Sequence, residues 1–171
     1  MAGVELRLVI VGGAALNLLG LVSRTTTDAD VIAVEHAGKL IPPDALPPAV
    51  AKGVIAVAAS LRLPPDWLNA GPALQMRFGL PPGFQERLTW LTFDTLGIGL
   101  ASRRDLVTLK LFAAADHWPS RSVHYSDLLS LAPTPEELAS AAEWVRTQDA
   151  SPDFPRLVTA VLAGVMADAG E

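Results

Sequence analysis

The chain has 171 residues, half of them apolar and 18% charged, a length and composition that suit one packed domain and exclude a disordered chain. Cysteine is absent, which excludes disulfides, thiolate-bound zinc and thiol nucleophiles and fits a reducing, cytoplasmic setting. The net charge of −5, with no Lys/Arg cluster, argues against a DNA-coating role but not against a nucleotide bound through metal ions and backbone amides.

The apolar start raises the question of a membrane segment. Glu5, Arg7, Asn17 and two glycines cut it into pieces of about ten residues, too short for the ~20 that span a bilayer. Residues 5–11 (ELRLVIV) read instead as a strand covered on both faces, because the β-branched run is continuous. Gly12-Gly13 breaks the run, and residues 14–22 carry helix-forming side chains. Residues 23–28 (SRTTTD) are polar and turn-like, and residues 29–34 (ADVIAV) predict a second strand.

From His36 to Pro48 the prolines predict a loop. Residues 49–61 read as a helix of small residues, 64–72 as a break, 72–79 as holding a short helix and 80–84 as a turn. Residues 86–93 (ERLTWLTF) alternate as a strand does, with Leu88, Trp90 and Thr92 on one face. A turn at DTLG and a returning strand at 98–102 complete a hairpin.

The last third reads as helical. Ser102 with Asp105, and Thr134 with Pro135 and Glu137, each match a capping box, in which side chains satisfy the free amides of a helix start. A shorter helix is expected at 121–131 and a final one from 154 to 166. The expected architecture is α/β (α+β), one domain over 1–171. Residues 1–101 would form a small mixed-sheet core and 102–171 a helical part packed on it.

The chemistry-bearing stretch is LVIVGGAALNLLGLVSRTTTDADVIAV. Two glycines between strand and helix let a backbone pass close to a phosphate, and amides at the helix start can face that anion. Asp28 and Asp30, two apart on a strand, share a face. Two such acids repel unless a cation lies between them, and Mg²⁺ takes oxygen ligands from one or two carboxylates and substrate phosphates.

In this order and spacing the stretch resembles the signature of DNA polymerase beta-like nucleotidyltransferases. More narrowly it resembles small bacterial nucleotidyltransferase-like proteins related to the abortive-infection toxins of type IV toxin–antitoxin systems. Later segments follow in the family's order: LPPGFQERL with Gly83 and Arg87, DLVTLKLFAAADH with Lys110, and HYSDLLSL with Asp127. The resemblance runs over roughly residues 8–131. It implies that Gly12 and Gly13 cradle nucleotide phosphates, that Asp28 and Asp30 bind Mg²⁺, and that Lys110 approaches a phosphate or braces the site. The implied reaction moves a nucleoside monophosphate from an NTP to a hydroxyl of RNA, such as a tRNA, or of protein, with a cognate antitoxin as a partner.

The sequence also departs from the family. Ala14 stands where active members often carry Ser, and His124 replaces the first acid of the Asp127 helix. Active members add a third acid, often the general base. Asp94 is the best candidate, though FDTLG reads equally as a turn; Glu86 is a poorer one. A catalytically degenerate member that binds a nucleotide or a protein partner is therefore the alternative reading.

Several other residues read two ways. Arg24, with Thr26, either binds phosphate or pairs with an acid and fixes the turn. Lys110 either snorkels to solvent or meets an anion. Trp67 either is buried or stacks on a base, and Arg87 either lies on a strand face or is a ligand. His36, His117 and His124 have no metal-ligand spacing and read as surface residues. Trp118 and Trp144 read as packing residues, and Arg103, Arg104, Lys110 and Arg121 are the available source of a basic face.

Overall fold

The computed structural model describes residues 6–169. Glu5, the first residue of the expected opening strand, lies outside the described residues. The chain is α+β, a mixed sheet followed by helices, as its patterning predicts. It divides into two compact units, one up to Ser102 and one from Arg103 onward.

In the first unit β1 (Leu6–Val11) runs through the middle of the sheet, and its last four residues are buried. That placement explains the continuous apolar run, since both faces are covered. β2 (Ala29–His36) pairs antiparallel with β1, and β6 (Leu96–Leu100) pairs parallel with it. β5 (Thr89–Phe93) closes the edge beyond β6, so the order is β3 (Lys39–Ile41), β2, β1, β6, β5, with β4 (Leu68–Asn69) beside the start of β2. Leu8, Val9, Ile10, Val31, Ile32 and Leu100 form the centre of this core.

Several expected boundaries move, among them the returning strand of the hairpin, which begins at Leu96 rather than at 98. The expected loop from His36 instead opens with a tight turn at Ala37-Gly38, both at positive φ, which returns the chain as β3 (Lys39–Ile41). The expected break at 64–72 holds β4 (Leu68–Asn69), two residues long and too short to carry a period. The expected strand from Glu86 begins only at Thr89, because Gln85–Arg87 close a 3₁₀ turn. That turn is tied to the β2–β3 turn by the Gln85 amide, which donates to the Gly38 carbonyl at 2.7 Å.

α1 (Gly12–Leu18) starts directly at the glycines rather than at Ala14, and the chain leaves it through Gly20 at positive φ. α2 (Pro48–Leu61) has its proline in the first turn, where a missing N–H costs nothing. α3 (Ala73–Arg77) follows β4. The indole of Trp67 donates to the Val54 carbonyl at 3.1 Å, tying α2 to the segment that enters β4. Trp67 is half-buried, with its indole N–H committed to that carbonyl. The Arg7 guanidinium stacks 3.8 Å over the Trp90 ring.

The second unit is helical: α4 (Arg103–Asp116), α5 (Val123–Ser130), α6 (Pro135–Val145) and α7 (Phe154–Asp168). α4 begins directly after Ser102, where the sequence places a cap. It is buried along most of its length and packs with α5, α6 and α7. Phe112 meets Phe154 at 5.7 Å between ring centroids, and Trp118 meets Tyr125 at 5.8 Å. The Thr134–Glu137 box forms in full: Glu137 N–H donates to Thr134 Oγ1 at 3.2 Å, and Thr134 N–H to Glu137 Oε2 at 2.9 Å. No helix among the described residues is long and apolar enough to cross a membrane.

Candidate active site

The site lies in the first unit, where β1 ends and β2 begins. Val11 is in register with Asp30, and the residue that follows Val11 turns back against the Asp30 side chain. That residue is Gly12, at φ +71. A β-carbon there would collide with the Asp30 carboxylate. Gly13 is enclosed from the other direction. A β-carbon on it would lie 2.8 Å from Thr26 Oγ1 and 3.0 Å from Arg24 Nη2. The glycines are thus required by the side chains folded over them, and those side chains come from the Arg-x-Thr-x-Asp-x-Asp segment.

That segment is braced internally. Thr26 Oγ1 donates to Asp28 Oδ1 at 3.0 Å, and the Arg24 guanidinium donates to the Thr25 carbonyl at 3.3 Å. Asp28 is exposed just before β2, and Asp30 is half-buried within it. Asn17, one turn into α1, donates to the Gly13 carbonyl at 3.2 Å and holds the turn from the helix side.

Six residues singled out in the sequence therefore come together here: Gly12, Gly13, Arg24, Thr26, Asp28 and Asp30. Asp94 does not join them. It occupies the β5–β6 turn at φ +52, and Leu6 N–H bonds to the next carbonyl, Thr95 O, at 3.1 Å. That is the start of β1, whereas Asp30 sits at its end, five residues and about 16 Å of strand away. Glu86 is exposed in the 3₁₀ turn, which also contains Arg87. Among the described residues no three His, Asp or Glu side chains gather as a metal cluster.

The residue that pattern reading missed is Asn69. It pairs in register with Asp30 from β4, and its Nδ2 donates to Asp30 Oδ1 at 3.1 Å. Beside it lies a cavity of about 520 Å³, lined by Pro43, Asp44, Leu46, Asn69, Gly71 and Leu74 among others. No motif marks Asn69; only the strand pairing brings it to the site.

In the second unit Lys110 is buried and forms an ion pair with Asp127 at 2.7 Å. Its anion in this structure is that carboxylate, and it does not snorkel. Arg103 pairs with Glu137 and donates to the Leu131 carbonyl at 2.7 Å, Arg121 pairs with Asp168 at 2.8 Å, and Arg104 donates to Ser140 at 3.3 Å. All four candidates for a basic face thus have partners within their own unit. The His117 and His124 rings meet at 5.3 Å, a contact that their sequence spacing does not advertise.

A family model described as a nucleotidyltransferase of unknown function (DUF6036) matches residues 2–129. No curated protein and no solved structure matches the chain.

Proposed function

Since the chain belongs to this nucleotidyltransferase family, we propose that it binds a nucleoside triphosphate with Mg²⁺ at the Gly12–Asp30 site and transfers the nucleoside monophosphate to a hydroxyl. The observation that carries this reading is the closure of the Arg24–Asp30 segment over Gly12 and Gly13. It leaves two carboxylates beside a glycine backbone turn. The donor set fits the ion, because Asp28 and Asp30 offer hard oxygen ligands and Mg²⁺ completes its shell with phosphate and water. Held there, Mg²⁺ would supply charge stabilisation on the transferring phosphoryl group.

The chain's own residues do the rest. Gly12 presents backbone without a side chain to the phosphates, and the buried Gly13 lets Thr26 and Arg24 close beside it. Thr26 orients Asp28, and Arg24 supplies positive charge over Gly13. The cavity beside Asn69 has a volume suited to a nucleoside. In the transfer the acceptor oxygen bonds to the α-phosphorus, the bond to the bridging oxygen breaks, pyrophosphate leaves and the hydroxyl proton passes to water. A tRNA or protein acceptor, and control by a cognate antitoxin in the cytoplasm, are the setting implied by the resemblance to toxin-related proteins. Lys110 stands apart from this reading, since its ammonium is already paired with Asp127.

One observation favours a second reading, nucleotide binding without transfer. Asp94 is at the far end of β1, and the neighbour in register with Asp30 is an amide rather than an acid. Calorimetric titration with ATP, GTP, CTP and UTP in Mg²⁺, on the wild type and on Asp28→Ala/Asp30→Ala, tests the site. Binding that needs Mg²⁺ and is lost in the double variant supports it; a wild type that binds none of the four overturns it. Pyrophosphate release on adding RNA or protein then separates transfer from binding alone.

A further inference from the structure

Asn69 is committed at both ends of its amide. Its Oδ1 accepts from the Gly71 backbone N–H at 2.9 Å, and its Nδ2 donates to Asp30 Oδ1 at 3.1 Å. The first bond fixes the second. A backbone N–H needs an acceptor, so the amide oxygen must face Gly71 and the NH₂ must face Asp30. A neutral donor in this position adds no like charge beside Asp30, whereas an acid would repel it unless a cation lay between them. Register makes the position specific, because Asp30 and Asn69 are paired across parallel strands.

We propose that Asn69 is a positioning residue of the metal–nucleotide site, aiming the Asp30 carboxylate and limiting the site to two acids. Standing as an amide where a third carboxylate would complete a cluster, it keeps affinity for a bare divalent cation low. The cation then enters with the nucleotide's phosphates rather than ahead of them. This rests on the reading of Asp28 and Asp30 as the metal-binding pair.

The test is a Mn²⁺ titration without nucleotide, on the wild type, Asn69→Asp and Asp30→Asn/Asn69→Asp. Aspartate keeps the acceptor for Gly71 N–H, so the turn is preserved and only the charge facing Asp30 changes. Asn69→Asp is expected to bind Mn²⁺ at least about tenfold more tightly than the wild type, since affinity rises with the number of charged ligands. The double variant reverses the hydrogen bond, with an amide at 30 and an acid at 69, and is expected to lose that gain. Equal Mn²⁺ affinity in wild type and Asn69→Asp, or a gain that survives Asp30→Asn, overturns the proposal.

Melting provides a second readout should Asn69→Asp fold poorly. The variant is expected to melt below the wild type in chelator and to recover with Mn²⁺. A deficit that Mn²⁺ leaves unchanged marks a structural role only and overturns the proposal. A wild type that binds no Mg²⁺–nucleotide would sink the transferase reading while leaving this Mn²⁺ comparison intact, so the two failures are distinguishable.

Discussion

The Asp30 carboxylate occupies the space that a β-carbon on Gly12 would need. Gly12 is also at φ +71, a conformation that costs an L-residue about 1–2 kcal/mol by backbone sterics alone. Gly12→Ala is therefore expected to lower stability by at least about 1 kcal/mol and to abolish Mg²⁺-dependent nucleotide binding. Adding Asp30→Ala removes the collision but not the backbone strain. Part of the stability returns and the binding does not. Denaturant unfolding of the two single variants and the double variant checks this, and strictly additive losses would show that the two residues do not compete for space.

Lys110 and Asp127 make a second close relationship, a 2.7 Å ion pair whose side chains are 7% and 1% exposed. Removing one member of such a pair leaves a buried charge short of its main counter-charge, at a cost of about 3–5 kcal/mol. Lys110→Met is expected to destabilise by about that much. Lys110→Met with Asp127→Leu is expected to recover most of it, because an apolar pair of similar volume has no charge to desolvate. Urea unfolding measures both. A Lys110→Met variant as stable as the wild type would instead free Lys110 for a role toward an external anion.

The candidate site is legible in the sequence wherever its residues are close along the chain. Gly12, Gly13, Arg24, Thr26, Asp28 and Asp30 lie within nineteen residues, and one strand–helix–strand unit brings them together. The place of Asp94 is not legible, because an acid after an alternating strand looks alike whether that strand end lies near Asp30 or far from it. Only the parallel register of β1 with β6 shows that it is far. Asn69 was hidden for the converse reason. A two-residue strand between Pro64-Pro65 and Gly71-Pro72 has no periodicity, and its partner is thirty-nine residues away. The capping box at Thr134, a purely local pattern, is legible and forms in full.

Tyr125 gives an alkaline probe. Burial first, then the hydrogen bond to Asp168 at 2.8 Å and that carboxylate's charge, push its phenol up to about 12, against a smaller downward pull from Arg121. It is the only tyrosine, so phenolate absorbance reports this group alone. The native phenol is expected to titrate near 12, and the unfolded one near its ordinary value of 10.0. A raised native value means that its stabilisation is complete below pH 10 and is lost as pH rises through 12. Tyr125→Phe is expected to cost about 1 kcal/mol at neutral pH for the lost hydrogen bond and to flatten that alkaline decline. A native titration near 10 would mean that neither the burial of the phenol nor its bond to Asp168 persists in solution.

The start of α6 gives an acid probe. The Thr134 backbone N–H and then the Arg103 guanidinium hold the Glu137 carboxyl below its ordinary value of 4.5. Glu136 is lowered as well, by its own backbone N–H and by the Thr134 side chain. A depressed native value stabilises the fold above pH 4.5, and that stabilisation is lost as pH falls through the native value. Thr134→Ala removes the hydroxyl that accepts from Glu137 N–H and is expected to cost about 1 kcal/mol at neutral pH. Glu137→Gln keeps a side-chain acceptor for the Thr134 N–H but has no charge to lose, so its stability is expected to fall less steeply below pH 4.5. Unfolding midpoints from neutral pH downward compare the three proteins. A Glu137→Gln curve parallel to the wild type would show that the acid sensitivity of α6 comes from Glu136 or another group, because only the slope, and not the offset, reports the titrating carboxylate.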